Sequence, residues 1–243
     1  MAGPRWKNIY RLSDEQISKL DDAEEAMVMM EINRAESILL ELLDEDSNCV
    51  PVLNNLAHLN GRHLSDFEKA IEYYTEIISS LDDNSEIKSD LLYRRGGSYE
   101  RLGNFQKADG DLKYSLRINP DDAYVLNYLA YSWLERDYKI DEAMRMLEKA
   151  YALRSNDPYI TDSIGWAYYL IENYTEAEKY IKKAVELMPE DPTVNDHYGD
   201  ILWKLNRNIQ ARYFWNYVLS LDDADEDIKK NINIKITDGL NNS

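Results

Sequence analysis

The chain has 243 residues, 44% of them apolar, and a formal net charge of -18 from 46 acids against 28 bases. That balance argues against nucleic acid, whose phosphates need clustered Lys and Arg, and disfavours anionic membrane surfaces. Cys49 is the only cysteine, so neither an intrachain disulfide nor a cysteine-built zinc site can form.

In chain order, the opening MAGPRWKNIYRL holds no apolar signal-peptide core, and no window approaches the roughly 18 apolar residues of a membrane span. The sequence reads as soluble and untargeted, with prior removal of a leader or anchor as the alternative. From residue 13 onward, apolar stretches of helical period alternate with acidic connectors such as LDEDSN, LDDNSE, NPDD and MPEDP. Aspartate at such positions caps a helix N-terminus and complements its dipole, so much of the acid is helix punctuation.

Small residues recur through these stretches in two series. Ala23, Ala57, Gly96, Ala130, Gly165 and Gly199 form the first, and Ala35, Ala70, Ala108, Ala143, Ala177 and Ala211 the second. Each second member follows its first by 12 or 13 residues; successive pairs are 34 or 35 apart, save one step of 38 or 39. Two antiparallel helices approach closely only where side chains are small, so each pair marks one helical hairpin of a repeat. In the unit beginning at Pro158 the apolar stripe includes Ile164, Trp166 to Tyr169, Tyr174, Ile181, Ala184 and Leu187. Pro189 and Pro120 close second helices, since proline cannot continue a helix interior.

The stretches RLGNFQKADGDLKYSLRINPDD, IDEAMRMLEKAYALRSND and NYTEAEKYIKKAVELMPEDP resemble tetratricopeptide repeats. Departures are Arg95 in place of leucine, Ser115 in place of alanine, and Glu172 and Asn206 at turns that often carry glycine. The expected fold is an all-α, right-handed superhelical solenoid of antiparallel helix pairs. An N-terminal extension over 1–12 precedes units at about 13–49, 50–88, 89–122, 123–157, 158–191 and 192–225. The segment 226–243 supplies a capping helix and tail, with Ile228, Ile232 and Ile236 inward and Lys229, Lys230 and Lys235 toward solvent.

In this family the first helix of each pair lines a concave groove. The face opposite the small residues offers Tyr93, Arg94, Glu100 and Arg101, then Tyr124, Asn127, Tyr131 and Leu134, then Tyr159, Asp162, Trp166 and Tyr169, then Asp196, Asp200 and Trp203. Tyr99, Trp133 and Tyr168 fall at core positions and are left out. Tyr and Trp bury large area at low entropy cost, and a ladder of Asn127, Asp162 and Asp196 suits a peptide backbone or Lys and Arg side chains. A partner with basic and apolar residues is expected. The family's known clamp for a C-terminal carboxylate would fall at Tyr93, Gly97, Tyr128, Tyr159 and Ser163, which lack its Lys, Asn and Arg. The segments VLNYLAYSWLERD, IDEAMRMLEKAYALRSNDPYITDSIGWAYYL and DPTVNDHYGDILWKLNRNIQARYFWNYVL are similar to the C-terminal half of long alphaproteobacterial repeat proteins, a resemblance that implies a cell-envelope adaptor for a protease or assembly complex.

His58 and His63 do not have the spacing of metal ligands on a helix. His197 would point about 100° from the face shared by Asp196 and Asp200. RRGGSYERLG lacks the Lys-Ser/Thr of a phosphate loop. No cofactor and no catalysis are expected. The leading function is a protein-binding module, the alternatives a self-associating scaffold or the repeat domain of a larger enzyme complex.

Overall fold

The structure, a computed structural model, describes residues 12–83 and 85–240. Among the described residues it is all-helical, with thirteen α-helices and one π-helical turn. The extension expected over 1–12 lies outside the described residues save for Leu12. The chain divides into two compact units, Met1–Pro120 and Asp121–Ser243.

In the N-terminal unit, α1 (Asp14–Val28) pairs with α2 (Ile32–Glu45), α3 (Val50–Leu59) with α4 (Phe67–Ser80), and α5 (Glu86–Arg101) with α6 (Phe105–Ile118). Local chemistry sets where these helices begin. Ser13 and Gln16 form a reciprocal capping box, and the side chains of Asp66, Ser85 and Asn104 each accept a backbone N–H of the helix that follows. Ala23, Ala35, Ala57 and Ala70 are wholly buried, and a Cβ on Gly96 would meet Leu112 Cγ at 3.1 Å. The small residues thus sit where one helix of a hairpin crosses the other. The lengthened connector after Leu81 is tied down by Lys88, whose Nζ donates to the Leu81 carbonyl (3.2 Å) and to Asp83 (2.8 Å). A π-helical turn, Asn60–Leu64, prolongs α3.

The C-terminal unit repeats the plan with α7 (Ala123–Glu135) and α8 (Ile140–Leu153), α9 (Pro158–Leu170) and α10 (Tyr174–Leu187), and α11 (Pro192–Lys204) and α12 (Asn208–Leu219), followed by α13 (Glu226–Asp238). Asp122, Asp157, Asp191 and Asp225 cap α7, α9, α11 and α13 with their side chains. Pro158 and Pro192 open their helices, where a missing N–H costs nothing. The hairpin turns place Asp137, Glu172 and Asn206 in the left-handed region, at φ 52°, 61° and 60°. That explains why glycine is usual at the last two positions.

The helix α13 caps the last pair. Ile232 is buried, and Ile228 and Ile236 pack into the cluster that holds Trp203, Trp215 and Val218. One expectation changes here. Lys235 does not face solvent: its side chain is only 19% exposed and reaches back to α11. The carboxylates waiting there draw it inward.

Candidate functional site

The expected site residues fall on the first helices of the pairs in both units. Tyr93 and Arg94 lie on α5 of the N-terminal unit. Tyr93 is half-buried, while Arg94 is exposed and bound to Asp90 one turn earlier, at 2.8 Å. The others lie on α7, α9 and α11 of the C-terminal unit.

On α7, Tyr124 is exposed, donates its hydroxyl to Asp157 at 3.0 Å and lies under the Arg154 guanidinium. Asn127 is half-buried, and its Oδ1 is shielded from solvent without a hydrogen-bond partner among the described residues. Tyr131 is half-buried; burial, then the charges of Glu135 and Asp162, push its phenol well above the usual range. On α9, Tyr159 is the most open of these aromatics, at 65% exposure.

The rest of α9 departs from the surface reading. Asp162 is buried and accepts from His197 Nδ1 of α11 at 2.9 Å. The Trp166 ring stacks on His197 with centroids 4.0 Å apart and on Tyr169 at 4.4 Å. Its Nε1 donates to Glu135 of α7 at 3.2 Å. Trp166 therefore stitches three consecutive first helices together, with part of its surface still accessible. Its packing role is larger than the sequence pattern indicates.

On α11 the two carboxylates are also engaged internally. Lys235 donates to Asp196 at 2.6 Å and to Asp200 at 2.8 Å, and the Trp215 indole N–H donates to Asp200 at 3.0 Å. Asp200 is buried and Asp196 half-buried. Trp203 is half-buried between Trp215 and Arg212, against Gly239, where an added Cβ would meet its ring at 2.1 Å. Of the expected ladder of Asn127, Asp162 and Asp196, the two acids are engaged by His197 and Lys235 of neighbouring helices. A charge left unpaired in a low-dielectric interior is expensive, so each buried acid acquires a base.

The electrostatics follow from this arrangement. Burial disfavours the charged imidazole of His197, but the adjacent Asp162 carboxylate outweighs it and holds the group above its usual value. Burial, reinforced by Asp196 and opposed by Lys235, pushes Asp200 up to about 6. Sequence reasoning did not find His197 or Lys235 as partners, yet a signal was there. His197 follows Asp162 by 35 residues and Lys235 follows Asp200 by 35, one repeat step, so complementary charges at that offset meet across adjacent pairs. No group of three or more His, Cys, Asp or Glu side chains suited to a metal occurs among the described residues.

Residues 163–191 match the family model of the tetratricopeptide repeat. The chain is 34% identical over 91 residues to TPR repeat-containing protein PA4667 of Pseudomonas aeruginosa, covering 37% of this chain and 15% of that protein. It is also 34% identical over 116 residues to TPR repeat-containing protein MJ1428 of Methanocaldococcus jannaschii, covering 47% and 19%. The matches thus span less than a fifth of those relatives' own lengths. Among solved structures, a tetratricopeptide repeat protein from Parabacteroides merdae superposes with TM-score 0.74 at 17% identity, covering 93% of this chain and 86% of that one. PilW, a type IV pilus biogenesis factor, superposes with TM-score 0.74 at 15% identity, covering 91% and 100%. These likenesses establish the fold, and the sequence matches support a tetratricopeptide repeat protein.

Proposed function

We propose that the chain is a non-catalytic protein-interaction module, with a docking surface on the C-terminal unit formed by α7, α9 and α11. The observation that carries this reading is the row of accessible aromatics on those helices. Tyr124 and Tyr159 are exposed, and Tyr131, Trp166, Tyr169 and Trp203 are half-buried, with Glu135 and Asp196 among them. Such a surface favours a partner that brings apolar and basic side chains. Tetratricopeptide repeat proteins are in general non-catalytic scaffolds, which agrees with the absence of a nucleophile–base pattern in the sequence. Asp162 and Asp200 act in this reading by positioning His197, Trp215 and Lys235 beneath the surface, not by touching the partner. Tyr93 and Arg94 lie on α5 of the other unit and are a separate candidate contact there.

The six-unit organisation over 13–225 and a role as an envelope adaptor for a protease or assembly complex are part of the same proposal. The resemblance to alphaproteobacterial envelope repeat proteins and the likeness to a pilus biogenesis factor support the latter. The test is affinity capture from lysate and envelope extract, with wild type beside Tyr124→Ala/Tyr159→Ala. Both substitutions remove exposed rings and leave the core alone. A protein held by wild type and lost by the variant supports the surface; equal capture by both moves it elsewhere. One observation favours a second reading, self-association. Ile209 and Tyr213 lie one turn apart on α12 and are 88% and 68% exposed. Light scattering on wild type and Ile209→Ser/Tyr213→Ser decides it, since a concentration-dependent dimer should disappear in the variant.

A further inference from the structure

Two histidines meet in the wall of a cleft of about 820 Å³ in the N-terminal unit, between α1, α3 with its π-helical turn, and α5. Five positions apart on a regular α-helix, His58 and His63 would diverge by about 140°. The turn Asn60–Leu64 is π-helical instead, with i→i+5 hydrogen bonds of a kind frequent at functional sites. The two rings stand 5.9 Å apart between centroids, edge to face. Two imidazoles on one metal ion, each with a nitrogen about 2.0–2.1 Å from it, have centroids about 5–6 Å apart. Among the described residues neither imidazole takes part in a hydrogen bond.

Two methionines line the same cleft. Met27 is buried and precedes His58 by 31 residues, the offset at which Asn55 donates to Glu24 and Trp166 to Glu135 across adjacent first helices. Met30 is 68% exposed and holds a left-handed backbone, at φ 61°, which glycine adopts freely and a residue with a Cβ does not. Of the non-glycine residues in that region, Met30 alone is apolar. Neither backbone preference nor hydration favours methionine there. The charges of the cleft also bear on a ligand. Arg94 is bound to Asp90 at 2.8 Å, and Glu24 accepts from Asn55 at 3.2 Å. His58 is half-buried; burial, and then the charges of Arg94 and Arg62, push its imidazole down to about 4. Four carboxylates in the lining, Asp21, Glu24, Glu25 and Asp90, outnumber those two guanidinium groups, so the cleft as a whole draws in a cation.

We propose that Met27, Met30, His58 and His63 bind a soft monovalent metal ion, copper(I). Thioethers select soft ions and imidazole suits copper among others, so a mixed set converges on copper in its reduced state. No group of three His, Cys, Asp or Glu side chains suited to a metal occurs among the described residues, so the thioethers complete the donor set. Arg62 and Arg94 repel a singly charged ion about half as strongly as a doubly charged one, which disfavours zinc at the same place. The site belongs to a different unit from the docking surface proposed above and does not depend on it.

The test is an anaerobic titration of the full chain with copper(I), kept reduced by ascorbate, in competition with the chromogenic chelator bicinchoninate. Wild type should withdraw one copper(I) per chain from the chelator. Loss of even an outer-shell partner costs about 10–100-fold in metal affinity, so Met30→Gly and His63→Asn should each weaken binding by about tenfold or more. Met30→Gly suits the left-handed backbone, so it should melt no lower than wild type while losing the ion. That separates a lost ligand from a lost fold, and circular dichroism checks His63→Asn. Zinc(II) titrated into the same proteins should show no dependence on Met30. Failure of wild type to compete with the chelator would overturn the proposal, as would equal copper(I) affinity in either variant. An equal loss of zinc(II) affinity in Met30→Gly would overturn it too, since Met30 would then act through the shape of the turn.

Discussion

A Cβ added at Gly165 would stand 2.6 Å from Ile181 Cγ1, and one at Gly199 would stand 2.3 Å from Trp215 Nε1. Both neighbours are fully buried, so neither can move aside cheaply. Gly165→Leu should therefore destabilise the protein by about 1–3 kcal/mol or more through overpacking. Thermal denaturation measures it, and an unchanged midpoint would mean that the hairpin crossing does not depend on glycine. The histidines offer a second check at this scale. His58 is held near 4 and His197 above its usual value. A ¹H–¹³C NMR titration should separate them, one shifting well below pH 6.5 and one above it. The linkage follows directly. The His197 contribution is complete below about 6.5, the unfolded value, and is lost as pH rises through the folded value. Asp200, raised to about 6, holds an extra proton in the folded state between about 4 and 6. Both groups make the C-terminal unit less stable as pH rises from about 4 through neutrality. In His197→Asn the part of that decline above about 6.5 should vanish; a slope identical to wild type would assign the pH dependence to other groups.

At the scale of the element, the departures from the repeat pattern come in matched sets. Arg95 replaces the usual leucine on α5, and Asp111 on α6 meets its guanidinium with two hydrogen bonds, at 2.7 and 2.8 Å. Ser115 replaces the usual alanine, and Ser89 pairs with its hydroxyl at 2.9 Å. Arg95 and Asp111 are largely buried, with side chains 15% and 12% exposed. Removing one partner leaves a desolvated charge, so Arg95→Leu alone should cost about 3–5 kcal/mol, whereas Arg95→Leu/Asp111→Leu should recover most of the loss. Urea denaturation of both variants measures the difference; equal destabilisation by the single and double changes would contradict it. Helices, caps and small-residue crossings were legible because each is dictated by local chemistry or by a steric need that recurs every repeat. Compensation between Arg95 and Asp111 was not, since it requires knowing which side chains meet across a hairpin. The same gap separates a face from a surface. Helical spacing placed Asp162, Trp166 and Asp200 on one side of their helices but did not show that the next helix, with His197 or Lys235, covers part of it. The offset of 35 residues between each buried acid and its base was visible in the sequence.

Over the whole molecule, the net charge of -18 sets folding and binding against each other. Some acids are locked in pairs between helices, such as Glu41 and Glu45 with Lys19, Asp111 with Arg95, and Asp196 and Asp200 with Lys235. Many others stand at exposed helix caps and connectors, where like charges repel and destabilise the compact state. Added salt screens that repulsion, since the Debye length falls from roughly 30 Å at about 0.01 M to roughly 8 Å at about 0.15 M. The partly buried pairs are screened far less. Tm should therefore rise by about 2–4 °C over that range, the shift that about 1 kcal/mol makes in a chain of this size. A fall in Tm would mean that exposed ion pairs contribute more than self-repulsion costs. Binding at the aromatic and acidic surface of the C-terminal unit should move the other way. A partner that brings basic side chains gains from the same negative field, so its association rate should drop as salt is added, while contacts with Tyr124, Tyr159 and Trp166 persist. Stopped-flow association with the captured partner, run over the salt range of the melting experiment, compares the two responses. Slower association in a more stable protein is the expected result, and a rate independent of salt would leave the aromatic side chains as the sole basis of recognition.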